Sequence, residues 1–450
     1  MDNTTNPAKQ AALPDNASPA EQHAYWLDTL NHPNIEERLG AIVALKKMET
    51  TGLLPKPLVA RDVNNHIHTT YSFSPYSPTK AVWMAYTAGL TTAGIIDHDS
   101  ISGAREFIQS GEAIGMPTTI GAELRASFAG TPFSNRRINN PDQNGIAYVT
   151  FHGIPHSQID DVKAFFKPVG QARDARNRRM TETLKTLLAP AGIELDYDRD
   201  IVPLSQQQDG GSITERHLLY AAALKIVEKC RTAEELLIFL SDTLGLPLSD
   251  KMRAMLTDEN NPCLPYDVLG LLKSELVEAI YIPATDECPS IAELSAFTKK
   301  RGIILAYPYL GDVGSSVTGD KKTQTFEDAY LDELFGSLKK MGFDAITYMP
   351  SRNTQDQLTR LRALCEKHEF FQISGEDINQ PRQTFVCEAM RAPEFSNLYD
   401  AAWALIGHER AATGNLENGM FADAALSQYS TLAQRVEYYK QAGLAAYPPL

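Results

Sequence analysis

Ten histidines occur in the 450 residues, and four of them, His66, His68, His98 and His152, fall at or beside the ends of short apolar runs that read as strands. His66-Ile67-His68 is the sharpest of these signals. Residues two apart on a strand face the same way, so both imidazoles can reach one cation. Carboxylates accompany them. Asp97-His98-Asp99 follows the apolar run 93–96, Glu123 follows 118–121, and Asp377 ends Ser374-Gly375-Glu376-Asp377 after the run 370–374. Taken singly, each has an ordinary explanation: a lone His-x-His is usually incidental, Glu123 a salt-bridge partner or cap, His152 a satisfied core histidine. Together they put His, Asp or Glu at five separate strand ends. Burying so many ionisable groups without a cation is costly. Mixed imidazole and carboxylate donors suit zinc, manganese or iron.

These strand ends belong to an alternating pattern. Candidate strands lie near 59–65, 93–97, 117–122, 147–152, 302–306, 344–348 and 370–374, and the first three are joined by helical segments, 79–89 and 102–115. Strands alternating with helices imply parallel pairing. Seven of them favour a barrel, whose strand ends host the active site. The stretch 158–294 breaks the rhythm: it shows helical segments at 221–229, 233–244 and 267–280 and no good strand, so it reads as a helical insertion. Its basic run, Arg173, Arg176, Arg178 and Arg179, reads as a solvated helix face. The barrel then comprises 59–157 and 295–390. Residues 1–58 hold a polar tail of about twenty residues and a helical preface, opened by Ser18-Pro19-Ala20-Glu21, that runs to about Met48. Residues 391–450 are helical again, over 396–408 and 422–442.

Composition narrows the function classes. A net charge of −14 argues against polymeric nucleic acid as partner, because binding it needs a basic surface. A small phosphorylated molecule stays open, since bound cations invert the sign of a site locally. The five cysteines are odd in number and form no C-x-x-C pair, which speaks against a disulfide framework or a zinc ribbon. With no apolar signal core at the start and no run near the roughly 18 apolar residues of a membrane span, the expectation is a cytoplasmic protein without a membrane partner. The terminal helices could cover the barrel, lid the site or form a homo-oligomer interface. Ser72, Ser74 and Ser77 lack the Gly-x-Ser-x-Gly elbow of a nucleophile, and Gly210-Gly211 is an isolated turn rather than a phosphate loop.

The motifs resemble a family. His66-Ile67-His68-Thr69-Thr70-Tyr71-Ser72, then Ser77-Pro78, Ala88-Gly89-Leu90, Ile96-Asp97-His98-Asp99 with Gly103, and Gly121-Ala122-Glu123, look like the opening of a PHP domain. Residues 172–179, Thr214-Glu215-Arg216-His217 and Ile304-Leu305-Ala306-Tyr307-Pro308 are similar to the helical insertion and later strands of its bacterial branch that acts on nucleotides. The likeness spans about 59–390. It implies an α/β fold, a distorted (β/α)7 TIM-like barrel with a helical insertion and helical N- and C-terminal extensions. It also implies a cluster of up to three metal ions and phosphoester hydrolysis. Carried over residue by residue, one metal site is intact: His66, His68, Glu123 and Asp377. A second keeps Glu123 and His152, with Tyr307 where the family has histidine. The third keeps His98 but has Phe73 and Asn379 in place of its partners. Phenylalanine cannot ligate, and an asparagine carbonyl suits harder cations than zinc. The expectation is therefore one or two divalent ions, Zn, Mn or Fe.

On this reading a metal-activated water hydrolyses a small phosphorylated substrate, with a nucleotide among the candidates. His98 and His152 become candidates for proton transfer as well as for a second ion. Anion-binding candidates are Arg216 with His217, in the segment similar to the family's Arg-x-His, Arg352 after the strand 345–349, and Arg125 two residues beyond Glu123. Two alternatives remain: an amide or lactone hydrolase on the same site, and a non-catalytic binding or regulatory module with an eroded site.

Overall fold

The computed structural model describes residue 13 and residues 16–313 and 324–447. Most of the tail expected before residue 20 lies outside the described residues. The helical preface consists of α1 (Pro19–Thr29) and α2 (Ile35–Thr50). At the start of α1, Ser18 and Glu21 cap each other reciprocally and Pro19 takes the first turn, where a missing N–H costs nothing.

Seven strands form one sheet in sequence order: β1 (Asp62–Ile67), β2 (Leu90–His98), β3 (Thr118–Ser127), β4 (Ile146–His152), β5 (Ile304–Pro308), β6 (Ala345–Tyr348) and β7 (Phe371–Ser374). The sheet curls into a nearly closed barrel. Helices α3 (Pro78–Thr87) and α4 (Ala104–Ile114) make the first two crossovers, and β1, β2 and β3 pair in parallel. The strand β4 departs from the expected parallel order, being antiparallel to both β3 and β5. The connection over 128–145 is a loop, not a crossover helix, so the chain simply turns back. The strand therefore ends, at His152, on the edge opposite the other strand ends, while the imidazole itself stays within electrostatic reach of His66 and Glu123. His152 stands beside Ile304, the first residue of β5.

The seam between β1 and the chain after β7 is sewn largely by side chains. Asn64 and Asn65 donate to the carbonyls of Glu376 and Ser374 at 3.1 and 2.9 Å. Beyond them the backbone takes over: His68 N donates to Ile378 O at 2.9 Å and Ile378 N to His66 O at 3.1 Å. Gly375 is required for this closure, because a Cβ there would lie 2.6 Å from the His66 nitrogen.

After β4 comes a 30-residue helix, α5 (Ile159–Leu188), followed by α6 (Glu215–Lys229), α7 (Ala233–Ile238), α8 (Asp250–Leu256) and α9 (Leu264–Ile280). These helices share an apolar core of their own, including Met180, Leu184, Leu218, Leu240 and Leu272, joined by one barrel-loop residue, Phe73. Helices α10 (Ile291–Lys300), α11 (Leu331–Lys340) and α12 (Gln355–Lys367) flank the returning strands. Last come α13 (Ser396–Gly414), α14 (Asp423–Gln428) and α15 (Leu432–Ala446). The strand residues Ile304, Ala306, Phe371 and Ile373 pack on Ala401, Ala404 and Leu405 of α13. Glu409 of α13 accepts from the Ile120 backbone N–H and from His156, each at 2.8 Å. No described helix is long and apolar enough to cross a membrane.

Candidate metal centre

The β1 seam sets the first two imidazoles. His66 and His68 bracket Ile67, whose backbone neighbours pair with Ile378, so both rings and Asp377 are held by one short stretch of ladder. Parallel pairing then brings His98, the last residue of β2, level with Glu123 of β3. His66, His98 and Glu123 on their strands thus meet His68 and Asp377, which lie just beyond the ends of β1 and β7.

Glu123 Oε2 lies 3.6 Å from His66 Nε2, 3.8 Å from His68 Nε2 and 3.3 Å from His98 Nδ1. His68 Nε2 is also 3.1 Å from Asp377 Oδ1, though without the alignment of a hydrogen bond. The His68 and His98 rings stack with centroids 4.7 Å apart. Nitrogen and oxygen donors held about 2.1 Å from one tetrahedral ion would sit roughly 3.4 Å from each other. The observed spacings cluster around that figure, and the three to Glu123 are too long for good hydrogen bonds. Ligand atoms of His66, His68 and Glu123 all fall within 4.8 Å of one another. Three buried imidazole nitrogens, His68 Nε2, His98 Nδ1 and His152 Nε2, have no hydrogen-bond partner. Unpaired buried polar atoms are costly, and lone pairs converging on two carboxylates are what a divalent cation needs. The residues present fit such an ion.

Support for His68 comes from behind. Its Nδ1 faces Ser72 Oγ at 3.3 Å, and Ser72 Oγ donates to Asp97 Oδ1 at 2.6 Å. Asp97 also accepts from the Thr69 backbone N–H and hydroxyl at 2.7 and 2.6 Å. With Nδ1 tied on that side, Nε2 is left to present its lone pair, the usual arrangement behind a ligating histidine. Ser72 thus serves orientation rather than attack, and Asp97 faces away from the cluster.

Electrostatics follow the same geometry. Burial lowers the pKa of His66, but the carboxylates of Glu123, Asp377 and Glu376 outweigh it and leave a net rise. Burial holds His98 well below its ordinary value, with Glu123 opposing and the His68 ring and the Arg173 guanidinium adding to the fall. Burial also takes His152 down to about 3, helped by His66. Glu123 goes down to about 2: burial opposes ionisation, but the His98, His66 and His68 rings overcome it. Asp377 also lies well below the usual carboxylate range: the partial burial of its carboxylate opposes ionisation, but His68, His66 and Arg216 outweigh it.

The other sequence candidates are placed as follows. His152 is buried on the same face of β4 as Thr150, the partner of Glu123, one step deeper in the barrel. Tyr307 is not brought to the cluster. It is fully buried on the opposite face of β5 from Ala306, its ring against Phe343 and its hydroxyl toward Glu327. Arg125 is consumed in a buried network: it bonds Glu287 at 3.0 Å and Glu215 at 2.8 Å, and Arg176 bonds the same two carboxylates at 2.8 and 2.6 Å. Arg173 pairs with Asp99, a residue whose φ of 50° is unusual for a side chain larger than glycine. Arg173 and Arg176 are thus 2% and 5% exposed, and the expected solvated helix face holds only for Arg178 and Arg179. His217 is buried at the start of α6, its Nδ1 accepting from Thr214 N at 3.0 Å and its ring edge-on to Phe73. It caps a helix and is not offered to a substrate. Phe73 packs into the insertion core, among His217, Tyr220 and Tyr266.

Two cationic candidates stay near the cluster. Arg216 is half-buried and donates to Asn379 Oδ1, while Asn379 Nδ2 donates to Asp377 Oδ1 at 2.6 Å. Arg352 donates to Leu310 O at 3.2 Å, and Asp377 and Glu327 act on its charge. Sequence reasoning missed Lys273 on α9, whose pKa falls to about 8, first because of the nearby Arg216 charge and then because neighbouring protein atoms displace part of the water around its ammonium, although much of the residue's surface stays exposed. Helix α9 carries it across the mouth, anchored by Arg382–Asp267 at one end and by Gln143–Ala284 just past the other.

No protein-family model and no curated protein matches the sequence. Among solved structures, the chain is similar to a candidate metal-dependent phosphoesterase from Bifidobacterium adolescentis, with 19% identity and a TM-score of 0.47 over 73% of this chain and 94% of that one. It is also similar to an amidohydrolase from Chromobacterium violaceum, crystallised with sulfate and no metal, with 16% identity and a TM-score of 0.47 over 73% of this chain and 90% of that one. Likeness at this level bears on neither the metal nor the substrate of this chain.

Proposed function

We propose that the protein is a metal-dependent phosphoesterase that hydrolyses a small phosphorylated molecule. The observation that carries this reading is the convergence of three imidazole nitrogens on Glu123 Oε2, two of them buried without hydrogen-bond partners. His66, His68, Glu123 and Asp377 would hold the first divalent ion, and His152 stands beside His66 and Glu123 for a second. A bound divalent cation lowers the pKa of water toward neutrality and offsets charge on phosphoryl oxygens.

The chain's own residues supply the rest. Asp97, through Ser72, holds the His68 ring in its ligating orientation. Arg216, Lys273 and Arg352 give the mouth of an otherwise acidic protein a local positive field, which favours an anionic substrate. His98, neutral by burial, can take up a proton at Nδ1, where Glu123 at 3.3 Å stabilises the imidazolium formed. Helix α6 reaches the site through the Arg216–Asn379 bond, and Lys273 of α9 stands within electrostatic reach of Arg216 and Asp377.

One observation favours the non-catalytic reading: Phe73, Tyr307, His217 and Arg125 are all committed to packing or ion pairs. Elemental analysis of wild-type protein and His68→Ala, purified without chelator and followed by a phosphate-release screen, separates the readings. One or two equivalents of zinc, manganese or iron, lost in the variant, with phosphate release by the wild type, is the expected outcome. A metal-free wild type overturns the proposal. Bound metal with cleavage of amides or lactones but not phosphate esters moves the activity to that class.

A further inference from the structure

Asn379 stands where a further metal-binding residue was expected, yet neither end of its amide is free. Its Nδ2 donates to Asp377 Oδ1 at 2.6 Å, and its Oδ1 accepts from Arg216 Nη1. Its backbone N–H is fixed by Gln383 Oε1 at 2.7 Å, and Ile378 beside it is locked into the β1 ladder. Asn379 is 5% exposed. The oxygen it holds, Asp377 Oδ1, is the one that approaches His68 Nε2. We infer that Asn379 is a positioning residue: it aims Asp377 at the His66–His68 pair and, through Arg216, makes that aim depend on how the insertion is docked.

The physical case has two parts. Asp377 has a side chain 41% exposed, so unlike Glu123 it is not held by packing and needs a bonded partner to keep one rotamer. The asparagine amide can supply that bond only when its NH2 end faces the carboxylate, and the Arg216 cation at the other end enforces this sense. A guanidinium demands the carbonyl oxygen, so the amide cannot turn around. Arg216 sits in the first turn of α6, whose neighbour Glu215 is anchored to Arg125 and Arg176. The line Arg216–Asn379–Asp377 therefore joins the insertion to a metal-holding carboxylate by two hydrogen bonds. Outer partners of ligating groups typically change metal affinity 10- to 100-fold when removed.

This inference rests on the metal-site reading above, and the test separates the two. Zinc affinity is measured by competition with a chromophoric chelator for wild type, Asn379→Leu, Arg216→Met and the double variant, with the thermal midpoint of each metal-free protein. Expected are about a tenfold or greater loss for Asn379→Leu, a smaller loss for Arg216→Met, and no further loss when Arg216→Met is added to Asn379→Leu. Arg216→Met changes a half-buried side chain and carries the test if Asn379→Leu does not fold: wild-type affinity in that variant overturns the coupling. Independent, additive losses, or a lowered thermal midpoint with unchanged zinc affinity, reduce Asn379 to a structural role and refute the inference while leaving the metal site standing. A wild type that binds no zinc overturns both.

Discussion

Replacing Glu287 by glutamine tests whether the charge network beneath the insertion holds it to the barrel. Three guanidinium groups, Arg125, Arg173 and Arg176, face three carboxylates, Asp99, Glu215 and Glu287. All but Glu215 are under 9% exposed. Glu287 accepts from Arg125 at 3.0 Å and Arg176 at 2.8 Å, with Arg173 Nε at 3.6 Å. Glutamine keeps the shape but leaves one buried positive charge uncompensated. Breaking a buried pair in this way costs about 3–5 kcal/mol. With an unfolding entropy of roughly 2.1 cal/mol/K per residue, a cooperative chain of this length should lose about 3–5 °C in thermal midpoint. Adding Arg176→Met restores charge balance, so the double variant should be more stable than the sum of the single effects by at least about 1 kcal/mol. Differential scanning calorimetry and urea titration of the four proteins decide it. A cost below about 1 kcal/mol for Glu287→Gln, or strict additivity, would refute the claim that these six groups act as one balanced unit.

Two further outcomes follow from the site. Phe73→His puts a side chain able to ligate at that position, yet the side chain points into the insertion core, so metal content by elemental analysis should be unchanged while stability falls by about 1–3 kcal/mol; an additional equivalent of metal would contradict the placement. Glu123 is held at about 2 against an ordinary 4.5, so in metal-free protein its contribution is fully present above pH 4.5 and is lost as pH falls toward 2. That contribution is at most about 3 kcal/mol, and urea midpoints measured between pH 5 and 2.5 should fall less steeply in Glu123→Gln than in wild type.

Much of the barrel is legible because its strands are short apolar runs bounded by turns, and the structure places all seven within a few residues of those runs. His66, His68, Glu123 and Asp377 are legible for the same reason: a strand end tells where a side chain will go. The direction of β4 is not, since the loop 128–145 carries no short turn signal and its return depends on tertiary pairing. Arg173 and Arg176 look like surface residues because their partners, Asp99, Glu215 and Glu287, are distant in the chain and only folding brings them together. Phe73 and Asn379 look like losses when set against a ligand pattern; their replacement contacts, a second core and an amide bridge, appear only in three dimensions. Lys273 gives no signal at all, since its role comes from where α9 crosses the mouth.

The antiparallel course of β4 has a consequence for the whole upper structure. Chain leaving His152 emerges at the foot of the barrel, beside Glu409, while the helices it must supply lie over the opposite end. The answer is α5, a post about 45 Å tall. Its base is planted in the barrel core through Ile159, Val162 and Phe166, and is guyed by Arg105–Asp160 and Arg301–Asp161. Its upper half carries Arg173 and Arg176 into the charge network and Met180 and Leu184 into the second core. Pro168 interrupts its hydrogen-bond ladder between those two regions. The cover of the site is thus mounted on a mast stepped at the keel, and any change that loosens the foot of the barrel will be felt at its mouth.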